Sequence, residues 1–300
     1  MPELEIDITP PYDFELSLKF STTCRFDIVS GRSGPKLVRA VMIDKKATLL
    51  DISWNGRLER PKIRVAWQCP GGGRIRPAEV AARVKRWLGA ELELIPFYRM
   101  AGQSPEMKSL IGRFRGLKPI LTPTVFEAAA WAIMGQQVNL NFAHTLKNRL
   151  SENYGHPFNL NGNRYVLFPT PAILSRARLT RLRRLQFSTR KAEYLVGLAG
   201  MVARDELDIE KLDDHNYPSG LERLLTVRGL GVWSANYILM RGAGLADCLP
   251  LGDSGLHRAI EKLYDLESRP DNEQVTAMAE PFRPYRSLCT LYLWNYLMEA

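Results

Sequence analysis

The stretch "TVRGLGVWSANY", from Thr226 to Tyr237, places two glycines on either side of one leucine, directly before an apolar helical pattern. Glycine adopts a positive φ at little cost, so the pair favours a tight turn between two helices. Residues without side chains also leave backbone N–H groups open to a phosphate at the start of a helix. Taken alone, the stretch is compatible with both interpretations.

A carboxylate follows this turn at a defined distance. Asp253 lies 22 residues after Gly231, in "LPLGDSGLHRAI", and a helical pattern begins directly after it. An aspartate in this position is typical of a helix N-cap. Its place beside a turn that could bind a phosphate leaves a second, chemical role open.

Composition narrows the class of protein. The chain has 300 residues, 45% of them hydrophobic, which predicts about two globular domains with real cores. No apolar run is long enough to cross a membrane, and the acidic start lacks a secretion signal, so we expect a cytoplasmic protein. The four cysteines show no Cys-x-x-Cys spacing, which argues against a zinc ribbon or an iron–sulfur cluster.

The net charge of +9 favours polyanionic partners. Seven basic residues and no acidic residue lie between Ser175 and Lys191. The spacing predicts a short helix that buries its leucines and leaves a basic side, either as an ordinary solvated face or as a contact with nucleic acid. The leucines are Leu179, Leu182 and Leu185, and the arginines are Arg178, Arg181 and Arg184.

The first 95 residues predict a small antiparallel sheet with packed helices. Short segments rich in β-branched and aromatic residues alternate with turn-prone pieces such as "SGRSGP". The segments that predict strands are "FELSLKFS", "KLVRAVMID", "ATLLDISW" and "KIRVAWQC". A helix is predicted from Pro77 to Gly89, with proline near its start and glycine at its end.

The remaining residues predict helices. The run from Thr122 to Gly155 predicts two of them, with a break near Gly135 to Asn141. The fold class is therefore α+β, with a small N-terminal sheet domain and a two-part all-helical core. The predicted boundaries are 1–95 for the sheet domain and 96–300 for the core, with one part at 118–240 and the other at 96–117 plus 241–300.

The glycine turn, the interval and Asp253 together resemble the helix–hairpin–helix DNA glycosylase superfamily. The segments "PPYDFELSLKF", "FEAAAWAIMGQQV", "LGVWSANYILMRG" and "YRSLCTLYLWNY" narrow the resemblance to the DNA-3-methyladenine glycosylase II family. The similarity runs from Pro10 to Tyr296. It implies a TATA-binding-protein-like N-terminal domain and a monofunctional enzyme. Such an enzyme releases alkylated bases of the 3-methyladenine type from damaged double-stranded DNA and so begins base excision repair.

The resemblance makes Asp253 the catalytic carboxylate. Breaking an N-glycosidic bond builds positive charge on the deoxyribose, which a fixed carboxylate stabilises. Related enzymes that also cut the strand carry a lysine two positions after the last hairpin glycine, where this chain has Trp233. Because no Schiff base can form there, we expect water to attack and an abasic site to remain.

The resemblance also implies a pocket for the damaged base. Trp233, Tyr237 and Trp294 match aromatic residues of the family's pocket, whose ring faces would attract a cationic alkylated purine. Ser254 stands where the family has an aromatic residue, which implies a wider pocket. Core packing remains the alternative role for each aromatic residue taken separately.

A base inside a duplex must be flipped out before it reaches such a pocket. The resemblance puts the wedge that fills the gap at Gln137, with Gln136 as the second choice, although an apolar wedge is the usual device. We expect His257 to lie at the surface or near a phosphate rather than to act as a base. The predicted DNA contacts of the hairpin are Arg228, Gly229, Leu230, Gly231 and Ser234.

Family members hold a monovalent cation with hairpin carbonyls, which here belong to Leu225, Val227 and Leu230. The resemblance implies Na⁺ or K⁺ in a structural role, with no other cofactor and no iron–sulfur cluster. The expected partner is duplex DNA, with no membrane, and the expected state is a monomer. Two alternatives stay open: a DNA-binding helix–hairpin–helix protein without catalysis, and a glycosylase with lyase activity on oxidised bases.

Overall fold

The computed structural model describes residues 1–22, 30–33, 36–214 and 216–299. Its N-terminal part is a five-stranded antiparallel sheet with the strand order β1-β5-β4-β3-β2. Alternate residues of the strands are buried, as a sheet with one covered face requires. The strands are β1 (Glu3–Asp7), β2 (Ser30–Ser33), β3 (Lys36–Ile43), β4 (Lys46–Trp54) and β5 (Lys62–Gln68).

The prediction of a strand at "FELSLKFS" is wrong, because this segment forms helix α1 (Phe14–Thr22). Its apolar residues alternate, but Phe14 and Leu18 are also four residues apart and are both buried. The Asp13 carboxylate accepts a hydrogen bond from the Leu16 N–H at 2.8 Å and so supports the first turn of the helix. The predicted helix after the sheet is confirmed as α2 (Pro77–Trp87).

The turn predicted at "SGRSGP" is also corrected, because Ser30–Ser33 is strand β2 and pairs with β3. Gly34 and Pro35 lie outside the described residues, as does Cys24. The other three cysteines are buried free thiols: Cys69, Cys248 and Cys289.

The C-terminal part is mostly helical. The predicted break near Gly135 to Asn141, between two helices, is confirmed. Those two helices are α5 (Val125–Gly135) and α6 (Leu140–Tyr154). The other helices are α3 (Ile95–Ala101), α4 (Pro105–Arg113), α7 (Pro171–Leu174), α8 (Leu179–Arg184), α9 (Thr189–Ala203), α10 (Tyr217–Leu225), α11 (Val232–Ile238), α12 (Ser254–Leu263), α13 (Asn272–Ala279) and α14 (Arg286–Glu299).

The predicted fold class, α+β with a small N-terminal sheet domain and a helical core, is confirmed, but the core is not all-helical. Strands β6 (His156–Leu160) and β7 (Asn163–Leu167) form a hairpin, and its apolar side packs against Ala40 and Leu49 of the N-terminal sheet. The turn between them is Asn161-Gly162, with φ values of 51° and 77°. An Asn-Gly pair is a strong signal for such a hairpin, and the sequence analysis did not use it.

Two large hydrophobic clusters hold the molecule together. One runs from Ile6 to Ala90 and includes Ile120 and Leu121, whereas the other runs from Leu94 to Trp294. The predicted boundary at residue 95 lies between these clusters, although the domain limits stay a prediction. Among the described helices, none combines the length and apolar character needed to span a bilayer.

Candidate active site

The hairpin between α10 and α11 depends on Gly229. Its φ is 95°, in the left-handed region that favours glycine. A Cβ added at Gly229 would stand 2.3 Å from Cγ of Tyr194, on helix α9. Leu230 is buried, and its N–H donates to the Val227 carbonyl at 3.0 Å. Gly229 therefore serves both the turn and its close packing on α9.

The second glycine of the hairpin has a different environment. Gly231 is exposed, and a Cβ added there would meet no atom within 4 Å. It immediately precedes α11 and, as a glycine, has no side chain to cap this helix start. The first N–H groups of a helix lack partners within it and carry partial positive charge. This end of α11 therefore has the chemistry to bind an anion.

Asp253 is the N-cap of α12, as its sequence predicts. Its Oδ1 accepts a hydrogen bond from the Leu256 N–H at 2.7 Å. Two indoles from distant elements also donate to it. Trp233 Nε1 on α11 lies 2.9 Å from Oδ2, and Trp294 Nε1 on α14 lies 2.9 Å from Oδ1. Three N–H donors thus fix the orientation of one half-buried carboxylate.

Tyr237 completes a group of three aromatic rings beside this acid. Its ring centroid lies 5.6 Å from that of Trp233 and 6.3 Å from that of Trp294. Burial raises the pKa of the Tyr237 phenol, and it lowers the pKa of the Arg241 guanidinium, which is hydrogen-bonded to that phenol. The sequence analysis did not single out Arg241, because an arginine in a helical run gives no sign of its burial.

Gly255 is a further residue of the site that sequence reasoning missed. A Cβ at this position would stand 3.1 Å from Oδ1 of Asp253 and 3.6 Å from Nε1 of Trp294. The contact with Trp294 on α14 would be an ordinary one, so the absence of a side chain matters for the space around the Asp253 carboxylate. Ser254, the predicted pocket residue between Asp253 and Gly255, is exposed.

The expectation that His257 lies at the surface is wrong. Its side chain is buried, and Nε2 accepts a hydrogen bond from the Gly252 N–H at 3.3 Å. The other ring nitrogen, Nδ1, lies 2.8 Å from the Pro270 carbonyl oxygen and donates to it in the matching tautomer. His257 thus ties the segment before Asp253 to the segment before α13.

The loop between α5 and α6 is joined to the hairpin. Gln136 Nε2 donates to the Gly229 carbonyl at 2.8 Å and to Ser234 Oγ at 3.2 Å. Ser234 is buried and its hydroxyl serves this junction, whereas its contact with a DNA phosphate stays a prediction. Gln137 is exposed with a φ of 54°, and Leu140, at the start of α6, is 67% exposed.

Three other predicted positions lie at the hairpin. Arg228 is exposed, pairs with Glu193 at 3.2 Å and stacks over the ring of Tyr194. Leu225 ends α10, where carbonyls lack partners within the helix, and the Val227 carbonyl accepts one hydrogen bond of the two it can accept. Carbonyl oxygens are hard ligands, so this donor set fits a monovalent cation.

The comparisons with known proteins agree with this geometry. A model of the HhH-GPD superfamily of base excision DNA repair proteins matches residues 130–284, which include the hairpin and Asp253. A DNA-3-methyladenine glycosylase of Bacillus subtilis is 34% identical over 219 residues, which cover 73% of this chain and 72% of that protein. The structure of a 3-methyladenine DNA-glycosylase from Archaeoglobus fulgidus shares the fold, with a TM-score of 0.84 and 24% identity over 98% of both chains.

These matches show the family. The chain belongs to the HhH-GPD superfamily and, within it, to the DNA-3-methyladenine glycosylase II family. It is an N-glycosylase of base excision DNA repair. The hairpin, the acid and the three aromatic rings lie together in one site. These are the residues that the sequence analysis singled out as candidates.

Proposed function

We propose that this protein hydrolyses the N-glycosidic bond of alkylated bases in duplex DNA and leaves an abasic site. The observation that carries the proposal is the Asp253 carboxylate held between two indole N–H groups, one of which belongs to the helix that follows the hairpin. The Bacillus subtilis relative, which is named as a DNA-3-methyladenine glycosylase, supports the substrate class.

The bonding of the carboxylate supports a specific role for one of its oxygens. Oδ1 accepts from both Leu256 and Trp294, whereas Oδ2 accepts from Trp233 alone among the described residues. A carboxylate oxygen can accept about two hydrogen bonds. Oδ2 therefore keeps a free lone pair, and we assign it to the face that meets the sugar.

In the proposed reaction, the bond between C1′ and the base nitrogen breaks and its electron pair leaves with the base. An alkylated purine nucleotide carries its positive charge on the base, so the base departs neutral and needs no proton. The charge moves to the sugar, where Oδ2 stabilises it. A water oxygen then bonds to C1′, and its proton passes to the carboxylate and from there to solvent.

The three aromatic rings form the proposed binding site for the flipped base. Their faces attract a cationic purine more than a neutral one, which favours alkylated bases. Trp233 also replaces the amine that a lyase would need, so the proposed enzyme forms no covalent DNA adduct. Borohydride treatment during turnover should therefore trap no protein–DNA complex, and a trapped complex would support lyase activity.

The exposed tip between α5 and α6 is the proposed wedge. Gln137 has an amide that can bond to the unpaired base, and Leu140 offers an apolar side chain that is 67% exposed three residues later. An apolar side chain inserted at a base step helps to unstack it. The two side chains together would replace the single apolar wedge that is usual elsewhere.

The hairpin is the proposed grip on the DNA backbone. The exposed Gly231 leaves the start of α11 open to a phosphate, and Arg228 adds a side-chain charge beside it. We assign a monovalent cation to the carbonyls of Leu225, Val227 and Leu230, where its charge would add to that grip. Exchange of K⁺ and Na⁺ for a bulky organic cation at constant ionic strength should then weaken duplex binding.

The deciding experiment measures release of free base from methylated duplex DNA by chromatography. We also propose that the protein acts as a monomer in the cytoplasm. In the assay, the wild-type protein should release 3-methyladenine, whereas Asp253→Asn should bind the same DNA and release none above background. DNA binding without release by the wild-type protein would instead support a binding module without catalysis. Equal release by both proteins would remove Asp253 from the mechanism.

A further inference from the structure

Six exposed arginines surround helix α8 in a stretch without acidic residues, and we call them the arginine row. Within the part of the chain that the structure describes, none of them has a carboxylate oxygen within 4 Å. The members of the arginine row are Arg176, Arg178, Arg181, Arg183, Arg184 and Arg190.

Folding does not account for these side chains. The predicted burial of three leucines on α8 is wrong for two of them, since only Leu182 is buried, Leu179 is 38% exposed and Leu185 is half-buried. In the arginine row, Arg181 has an aromatic partner, the ring of Tyr154 at 5.4 Å. The other members project into solvent, where their like charges repel each other at low salt.

One member of the arginine row, Arg190, lies in the first turn of α9, the helix that packs against the hairpin. Helix α9 starts at Thr189, five residues after the end of α8, and three contacts tie its first two turns to the DNA-facing elements. Lys191 Nζ donates to the Met134 carbonyl at 2.6 Å, next to the wedge loop. Glu193 pairs with Arg228, and the ring of Tyr194 lies under Gly229.

We propose that the arginine row binds the phosphate backbone of duplex DNA that flanks the lesion and so extends the grip of the hairpin. This inference rests on the proposed function, since it takes the same duplex as the ligand. Helix α8 has six residues and spans about 9 Å. A duplex carries one charge for about every 1.7 Å of its axis, so several phosphates fall within reach of this length. Contacts of this kind are independent of sequence and suit a protein that searches DNA for rare lesions.

The test compares two variants of equal charge. The row variant carries Arg178→Ser, Arg183→Ser and Arg184→Ser, which leaves Arg181 on its aromatic partner. The control variant carries Arg57→Ser, Arg60→Ser and Arg74→Ser, three exposed arginines of the N-terminal part. Each variant lowers the net charge of +9 by three, so any effect of total charge is the same in both.

Binding to a lesion-containing duplex of about 30 base pairs is measured over a range of salt concentrations. Each lost phosphate contact should make the slope of log K against log salt shallower by about 0.9, so the row variant should lose up to about 2.7 and the control variant none. Hydroxyl-radical footprinting should show that the row variant loses protection at one end of the footprint. The rate of base release at saturating enzyme should stay unchanged.

Two results would overturn the inference while leaving the proposed function intact. One is an equal loss of affinity in the row and control variants, which would make total charge the cause. The other is an unchanged salt slope in the row variant. If the wild-type protein itself neither binds the duplex nor releases base, the proposed function fails instead.

Discussion

Two helices in the C-terminal part begin with the same device and differ in what surrounds it. Asp253 caps α12 and Asp271 caps α13, and each carboxylate accepts a hydrogen bond from the backbone N–H three residues later. At Asp271 the side chain of Gln274 completes an ordinary capping box. At Asp253 the backbone N–H donates instead to the Pro250 carbonyl, and two indoles from other helices donate to the carboxylate. Partners from distant parts of the chain, rather than the cap itself, therefore distinguish the proposed catalytic acid from a structural cap.

The largest effect should come from exchanging each of these acids for its amide. Asp253→Asn should lower the rate of base release by more than about a thousandfold, which corresponds to several kcal/mol of lost transition-state stabilisation. Asp271→Asn should leave the rate unchanged. Both variants should lose little stability in urea unfolding, roughly 0.3–1 kcal/mol, because asparagine caps a helix about as well as aspartate and only the negative charge at the helix start is lost. A comparable loss of activity in Asp271→Asn would remove the proposed difference between the two caps.

Replacing either indole that donates to Asp253 should have a smaller effect on the rate of base release. Trp233→Phe and Trp294→Phe each keep an aromatic ring but remove one N–H donor from the Asp253 carboxylate. We expect each to lower the single-turnover rate by about a hundredfold, as for the loss of one fixed donor at a charged centre. If both variants keep the wild-type rate, the indoles serve only as ring surfaces.

Gly255→Ala should produce a still smaller but more specific change. The added methyl group would stand 3.1 Å from Oδ1 of Asp253, which is closer than an ordinary contact and would displace the carboxylate, so we expect about a tenfold lower rate. Stability should not fall, because alanine favours a helix more than glycine does. Gly197→Ala on α9 is the control, since its Cβ would meet no atom within 4 Å. It should gain up to about 1 kcal/mol of stability with an unchanged rate, and equal rates for both variants would refute the close-contact argument.

The sequence alone could predict the features that depend on residues close together in the chain. The hairpin, the break between α5 and α6 and the cap at Asp253 rest on neighbouring residues, so their patterns were visible. The helix at Phe14 was missed because its apolar residues fit a period of two as well as a period of four. The burial of Arg241 and His257 and the close contact at Gly255 depend on packing between elements far apart in the chain, which no local pattern records.

The junction at Gln136 has a consequence for how the enzyme would meet its substrate. Because the Gln136 amide joins the loop between α5 and α6 to the hairpin, the proposed wedge and the proposed grip on the DNA backbone are coupled to each other. If the two elements keep their relative positions, the deformation that exposes a base would fall on the nucleic acid. Sites whose base stacking is already weakened by damage would bend most readily. The flexibility of the DNA would therefore help to select damaged sites before any chemistry begins.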